Sequence, residues 1–211
     1  MTAITHHIPD AMLAAYAAGT LAHPFAMVVA SHVSLCAECR GALAAHEAVG
    51  GILLDRIETK TVSDRLKSNV LDMLDDPFTP APVYKRFGAY PAPVMEALKG
   101  TPPRWKSVGM GVRQCVLSSG DEGSIRLLSI PPGQAMPDHG HGGLELTLVL
   151  QGSFKDETGR FGVGDIEIGD EHLEHTPVAS AGAPCICLAA TDAPLRFNAL
   201  LPRLLQPFFR I

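Results

Sequence analysis

With 211 residues, of which 46% are hydrophobic and 18% charged, the chain can bury a core and form one large domain or two modest ones. A net charge of -5 argues against the basic surface that DNA- or RNA-binding proteins present. No apolar run reaches the roughly eighteen residues of a membrane span, and residues 1–10 lack the basic and apolar regions of a signal peptide, so a cytoplasmic protein is expected.

The first part of the chain reads as helical. Pro9-Asp10 opens a run of strong helix formers, Ala11 to Ala18, and Gly19 is its expected stop. Pro24 suits the first turn of a second helix that carries Phe25 to Val29 and continues past His32. Gly41 and the pair Gly50-Gly51 weaken the helical pattern after it. Ser63 then starts a helix with Leu66, Val70, Leu71 and Leu74 on one apolar face. Three or four short helices and no strand are expected up to residue 75.

Within this region His32, Cys36 and Cys39 form H-x-x-x-C-x-x-C. On a single helix, steps of four and seven residues at about 100° each bring both cysteines within roughly 40° of His32 around the axis. One imidazole and two thiolates are the soft, tetrahedral-leaning donor set that zinc prefers, with a fourth ligand to come from another segment. His6, His7, His23 and His46 are the candidates. A thioredoxin-like redox C-x-x-C is the alternative, but no βαβ context surrounds this one.

Prolines at 77, 80, 82, 91, 93, 102 and 103 mark residues 76–103 as a semi-rigid linker, with a turn or two allowed around Val94–Lys99. The domain division expected is therefore 1–75, 76–103 and 104–211. Beyond Arg104, short apolar runs alternate with turn signals: Gln114–Leu117, Ile125–Ile130, Leu144–Leu150, Asp165–Ile168 and Cys185–Ala190. That spacing predicts a sandwich or jelly-roll barrel. The apolar tail Leu195–Ile211 is either a last strand or an interface element.

Between Gly133 and Gly152 the pattern is G, five residues, H-x-H, three residues, E, six residues, G. His139, His141 and Glu145 share parity, so an unbulged strand would send all three from one face, where they can hold a divalent metal. The pattern resembles the first motif of the cupin family, without a departure. The cupin second motif is degraded: Asp170, His172 and Ala179 replace its proline, glycine and asparagine, and the resemblance implies His175 as the fourth ligand. His172 reads as a solvated loop residue or a spare ligand. Vacant positions on iron or manganese would permit a small-molecule dioxygenase; zinc with all four ligands engaged would be structural or sensory.

Cys185 and Cys187 share a strand face but cannot easily bond to each other; they are core residues or thiols oxidised during signalling. Cys115 reads as core, and Glu167, Asp170, Glu171 and Glu174 as a solvated acidic run. Five cysteines in this arrangement are no secreted disulfide framework.

The N-terminal domain resembles the zinc-binding anti-sigma family. Joined to a cupin it resembles the ChrR-type anti-sigma factors, in His6-His7, Ala15-Tyr16-Ala17-Ala18-Gly19, His32–Cys39, Pro137–Glu145 and Pro207–Ile211. The resemblance implies that His7 (or else His6) completes the first zinc site. It favours zinc at the cupin site as well. It further implies that the helical domain wraps an ECF (group IV) sigma factor, which keeps it from RNA polymerase core, and that photo-oxidative stress such as singlet oxygen is read by the cupin half. Apolar positions around Met12, Leu13, Val28 and Leu43 are then expected to meet the sigma factor. A metal-dependent cupin enzyme is the competing reading, and a plain metal-binding module the third.

Overall fold

The computed structural model describes residues 3–77 and 79–197; the expectation for the tail beyond 197 lies outside the described residues. Five α-helices are described: α1 (Asp10–Ala17), α2 (His23–Leu35), α3 (Ala37–Asp55), α4 (Asp64–Asp72) and α5 (Ala92–Ala97). The Pro9 carbonyl accepts the first free N–H groups of α1, from Met12 and Leu13. Gly19, at φ 69°, takes the left-handed conformation that stops it. Pro24 sits in the first turn of α2, and the Ser63 hydroxyl caps α4 by accepting from the Leu66 N–H at 3.2 Å.

Two expectations are corrected here. The H-x-x-x-C-x-x-C motif does not lie on one helix: α2 ends at Leu35, and Cys36 adopts an extended conformation (φ -101°, ψ 113°) before α3 begins. Gly41, Gly50 and Gly51 do not interrupt α3, because all three face open space where a missing side chain removes no packing.

Twelve strands follow in chain order: β1 (Lys106–Gly109), β2 (Val112–Gly120), β3 (Gly123–Ile130), β4 (His139–His141), β5 (Glu145–Gln151), β6 (Phe154–Lys155), β7 (Arg160–Phe161), β8 (Ile166–Gly169), β9 (Glu174–His175), β10 (Val178–Ala179), β11 (Cys185–Thr191) and β12 (Leu195–Phe197). An antiparallel sheet in the order β1-β2-β3-β11-β5-β8 faces two small sheets, β10-β6-β7 and β12-β4-β9. The five long apolar runs all lie in strands of the large sheet. The two- and three-residue strands are too short to carry a period that a sequence would show.

Both faces of the large sheet are covered. Val149, Cys185 and Cys187 point inward onto Phe154 and Phe161 of the small sheet. Leu146, Leu148, Ile125, Leu127 and Leu188 point the other way and join one core with Phe25, Val28 and Val29 of α2. This double covering is why Leu144–Leu150 reads as a continuous apolar run rather than an alternating one. Each of these fully buried side chains contributes about 1.5–3 kcal/mol.

Helix α5 falls inside the expected linker. Its Val94 and Met95, with Leu98 after it, are buried in the same core beside α2, so that part of the segment is packed and not a spacer. The core also absorbs residues expected at a partner surface: Leu13, Val28 and Leu43 are buried and Met12 packs against them. Helical periodicity gave an apolar face but not what covers it.

Candidate metal centres

Four donors converge where the chain bends between α2 and α3. His32 comes from the last turns of α2, Cys36 from the bend, Cys39 from the first turn of α3, and His7 from the segment before α1. His32 Nε2 stands 3.2 Å from Cys39 Sγ, and His7 Nδ1 lies 3.3 Å from Cys36 Sγ and 3.6 Å from Cys39 Sγ. All four donor atoms lie within 4.8 Å of one another. Burial drives the His32 imidazole down to about 4, so its ring is neutral and able to ligate. Burial, with Cys36 alongside, pushes the Cys39 thiol up to about 11, so two adjacent thiolates are stable here only against a cation. Two cysteine sulfurs and two imidazole nitrogens at this spacing fit a tetrahedral zinc.

Of the four candidates for the fourth donor, only His7 reaches the cluster. His6 turns away and packs on Phe161, ring centres 4.4 Å apart. His23 is exposed, and His46 Nε2 bridges to Asp10 at 2.8 Å, tying α3 to α1.

The second cluster lies inside the barrel, where the imidazole nitrogens of His139, His141 and His175 also fall within 4.8 Å of one another. His139 and His141 are on β4 and His175 on β9, adjacent strands with His139 opposite His175. The parity argument for Glu145 needs correction. Strand β4 ends at His141 and Glu145 begins β5 in a different sheet, so no one strand face carries all three; the structure brings the three histidines together and sets Glu145 beside His141. Glu145 Oε2 stands 3.3 Å from His141 Nδ1. Burial alone would raise its carboxyl, but the His141 ring beside it outweighs that and holds it below the usual carboxylate range.

Supporting groups set which ring nitrogens face inward. His139 Nδ1 lies 2.7 Å from the Pro137 carbonyl, and His175 Nδ1 lies 2.7 Å from Asp156 Oδ2. Both rings therefore keep Nε2 for the centre, the arrangement that orients histidine ligands of metals. Three imidazoles with buried carboxylates beside them fit a divalent cation. Glu167, expected in a solvated acidic run, is instead buried with Oε1 3.3 Å from His175 Nδ1, and burial raises its carboxyl to about 7.

Asp156 and Arg126 went unnoticed in the sequence. Asp156 sits in a loop nineteen residues before its partner, and no motif flags it. Arg126 is buried in the barrel and donates to Gln114 and Ser124, where an alternating strand gave no hint of a charge. His172 is exposed beside Glu171. Cys185 and Cys187 are buried with their sulfurs 3.6 Å apart, and Cys115 is a core residue.

Among the described residues one surface has no cover. From Glu47 to Pro77 every residue is exposed, yet α4 presents Leu66, Val70 and Leu71 and the end of α3 presents Ile52 and Leu53. Exposed large apolar side chains in this number mark an interaction site. Among the described residues, no helix is long and apolar enough to cross a membrane.

Residues 97–193 match the family of ChrR cupin-like domains. Across 211 residues, 99% of each chain, the sequence is 56% identical to the anti-sigma-E factor ChrR of Cereibacter sphaeroides. In the crystal structure of Rhodobacter sphaeroides SigE in complex with the anti-sigma ChrR, a chain 53% identical superposes with a TM-score of 0.80, covering 90% of this chain and 100% of that one.

Proposed function

The chain belongs to the ChrR family of anti-sigma factors, and from that premise we propose that it sequesters an ECF (group IV) sigma factor and so blocks transcription initiation in the cytoplasm. It is a regulatory binding protein and not an enzyme. The observation that carries the reading is the uncovered apolar surface of α3 and α4 on a chain whose relative was crystallised with a sigma factor. Such a partner has to bury on the order of 1,000 Å² or more, which two amphipathic helices can supply. A dioxygenase would have no use for that surface.

In this reading residues 1–75 form the anti-sigma part, 76–103 a connecting segment into which α5 is built, and 104–211 the cupin. Zinc is held by His7, His32, Cys36 and Cys39, and when bound it cross-links the segment before α1 to the bend between α2 and α3. A divalent cation, again zinc, is held by His139, His141, His175 and Glu145. Photo-oxidative stress, singlet oxygen in particular, acts on the cupin half and leads to release. Release needs a coupling of a few kcal/mol between the two sites.

The test is co-expression of the full chain with each ECF sigma factor of the source genome, followed by co-purification and metal analysis. A one-to-one complex with zinc at the N-terminal site is expected; the absence of any sigma factor in the eluate would sink the reading. Two variants separate the halves. His141→Ala is expected to lower metal content by about one ion per chain while the sigma complex persists and no longer responds to singlet oxygen. Asp156→Asn removes the carboxylate on His175 and is expected to weaken the barrel's metal affinity about 10- to 100-fold, measured by competition with a chromophoric chelator.

A further inference from the structure

We propose that Gly162–Glu167, a turn and the start of β8, positions ligands of both metal centres at once and is the element through which the barrel acts on the N-terminal site. The proposal rests on the two-centre reading above. Asp165 Oδ1 accepts from the backbone N–H groups of Thr5 at 2.6 Å and His6 at 2.9 Å, and Oδ2 accepts from the Gly162 N–H at 2.8 Å. The Ile166 N–H donates to the His6 carbonyl, so the segment before α1 lies along the open edge of β8. Its next residue is His7, a donor of the N-terminal cluster.

The same turn closes on the N-terminal segment at a second point. Gly164 has φ +92°, and a Cβ at this position would run into the Ile4 side chain, so the turn and the N-terminal segment approach as closely as a glycine permits. Two residues beyond Asp165, Glu167 reaches His175 of the barrel centre. Burial alone would raise the Asp165 carboxyl, but its N–H donors outweigh that and hold it below the usual carboxylate range.

A displacement of His175 is therefore passed along a few residues of β8 and its turn to the backbone that aims His7. Both Asp165 and Gly164 are positioning residues. Neither belongs to either donor cluster, and both act through histidines that do.

The test uses the full chain with cobalt(II), whose thiolate-to-metal charge-transfer band reports only the site with cysteines. The rate at which EDTA removes that cobalt is measured for the wild type, His141→Ala, Asp165→Ala and the double variant, all checked by far-UV circular dichroism. His141→Ala is expected to speed removal several-fold and Asp165→Ala about 10- to 100-fold. The double variant is expected to be no faster than Asp165→Ala, because the path is already cut. Ile4→Gly, which loosens the segment without touching the barrel, is expected to behave as Asp165→Ala does and serves if that variant misfolds. Additive effects in the double variant, or an unchanged rate in both Asp165→Ala and Ile4→Gly, overturn the proposal. Absence of the charge-transfer band in the wild type instead overturns the two-centre reading on which it stands. No sigma factor enters the assay, so failure of the partner assignment is read separately.

Discussion

Cys36→Ser, Cys39→Ser is expected to abolish sigma-factor binding, with the affinity falling more than about 1,000-fold and one zinc per chain lost. The helical part owes its shape to few buried apolar residues, chiefly Leu13, Phe25, Val28, Val29 and Leu43. Beyond them, His7 is carried in by the segment before α1 and Cys36 occupies a bend that no glycine or proline enforces. A structural zinc in a small domain contributes on the order of 10–16 kcal/mol, comparable to the whole stability of a typical domain. Without two of its four donors the bend and the α1–α3 packing are left to the apolar contacts. Metal analysis and a sigma-binding titration on the same preparation check this. Normal inhibition by a variant shown to have lost its zinc would refute a structural role for the site.

The second large effect is expected from Leu66→Glu together with Val70→Glu. These positions are one turn apart on α4, 51% and 54% exposed, and among the described residues no element packs over them. Charges placed there cost the free protein little, within about 0.5 kcal/mol each, because surface substitutions away from packing and caps rarely do more. In the complex they would be desolvated against an apolar partner. Two interface anchors at about 2 kcal/mol or more each give a loss of roughly 1,000-fold in affinity. The melting temperature and both metals should stay as in the wild type. Unaltered sigma binding would move the interface off α4. The same double change at Leu13 and Val28 would unfold the protein instead, since both are in the core.

The sequence showed donor chemistry better than it showed geometry. Spacing drew attention to His32, Cys36 and Cys39, but not to the break between helices that brings them together. That break has no glycine or proline; the Cys36 sulfur itself accepts from the Cys39 N–H at 3.5 Å and so acts as the cap of α3. The long strands were legible because each carries an apolar run of four residues or more between turn signals. β4, β6, β7, β9 and β10 are two or three residues long and are defined by their neighbours. Asp156 and Glu167 were illegible for a different reason. A carboxylate that supports a histidine from another loop leaves no spacing to read, and charge alone suggested solvent. Val28 and Leu43 show the remaining limit: an apolar helix face reads the same whether a sheet or a second protein covers it.

Because α2 and α5 share a core with the large sheet, a break in the chain is not a separation of its halves. The exposed stretch 56–63 and the segment 79–88 offer a protease accessible backbone, but a nick at either place leaves Phe25, Val28 and Val29 seated on β3, β5 and β11. The fragments would travel as one particle until that contact is undone. For any regulatory cleavage of this chain, the event that matters is undocking, and its rate is governed by the buried face of α2 and not by the number of peptide bonds cut.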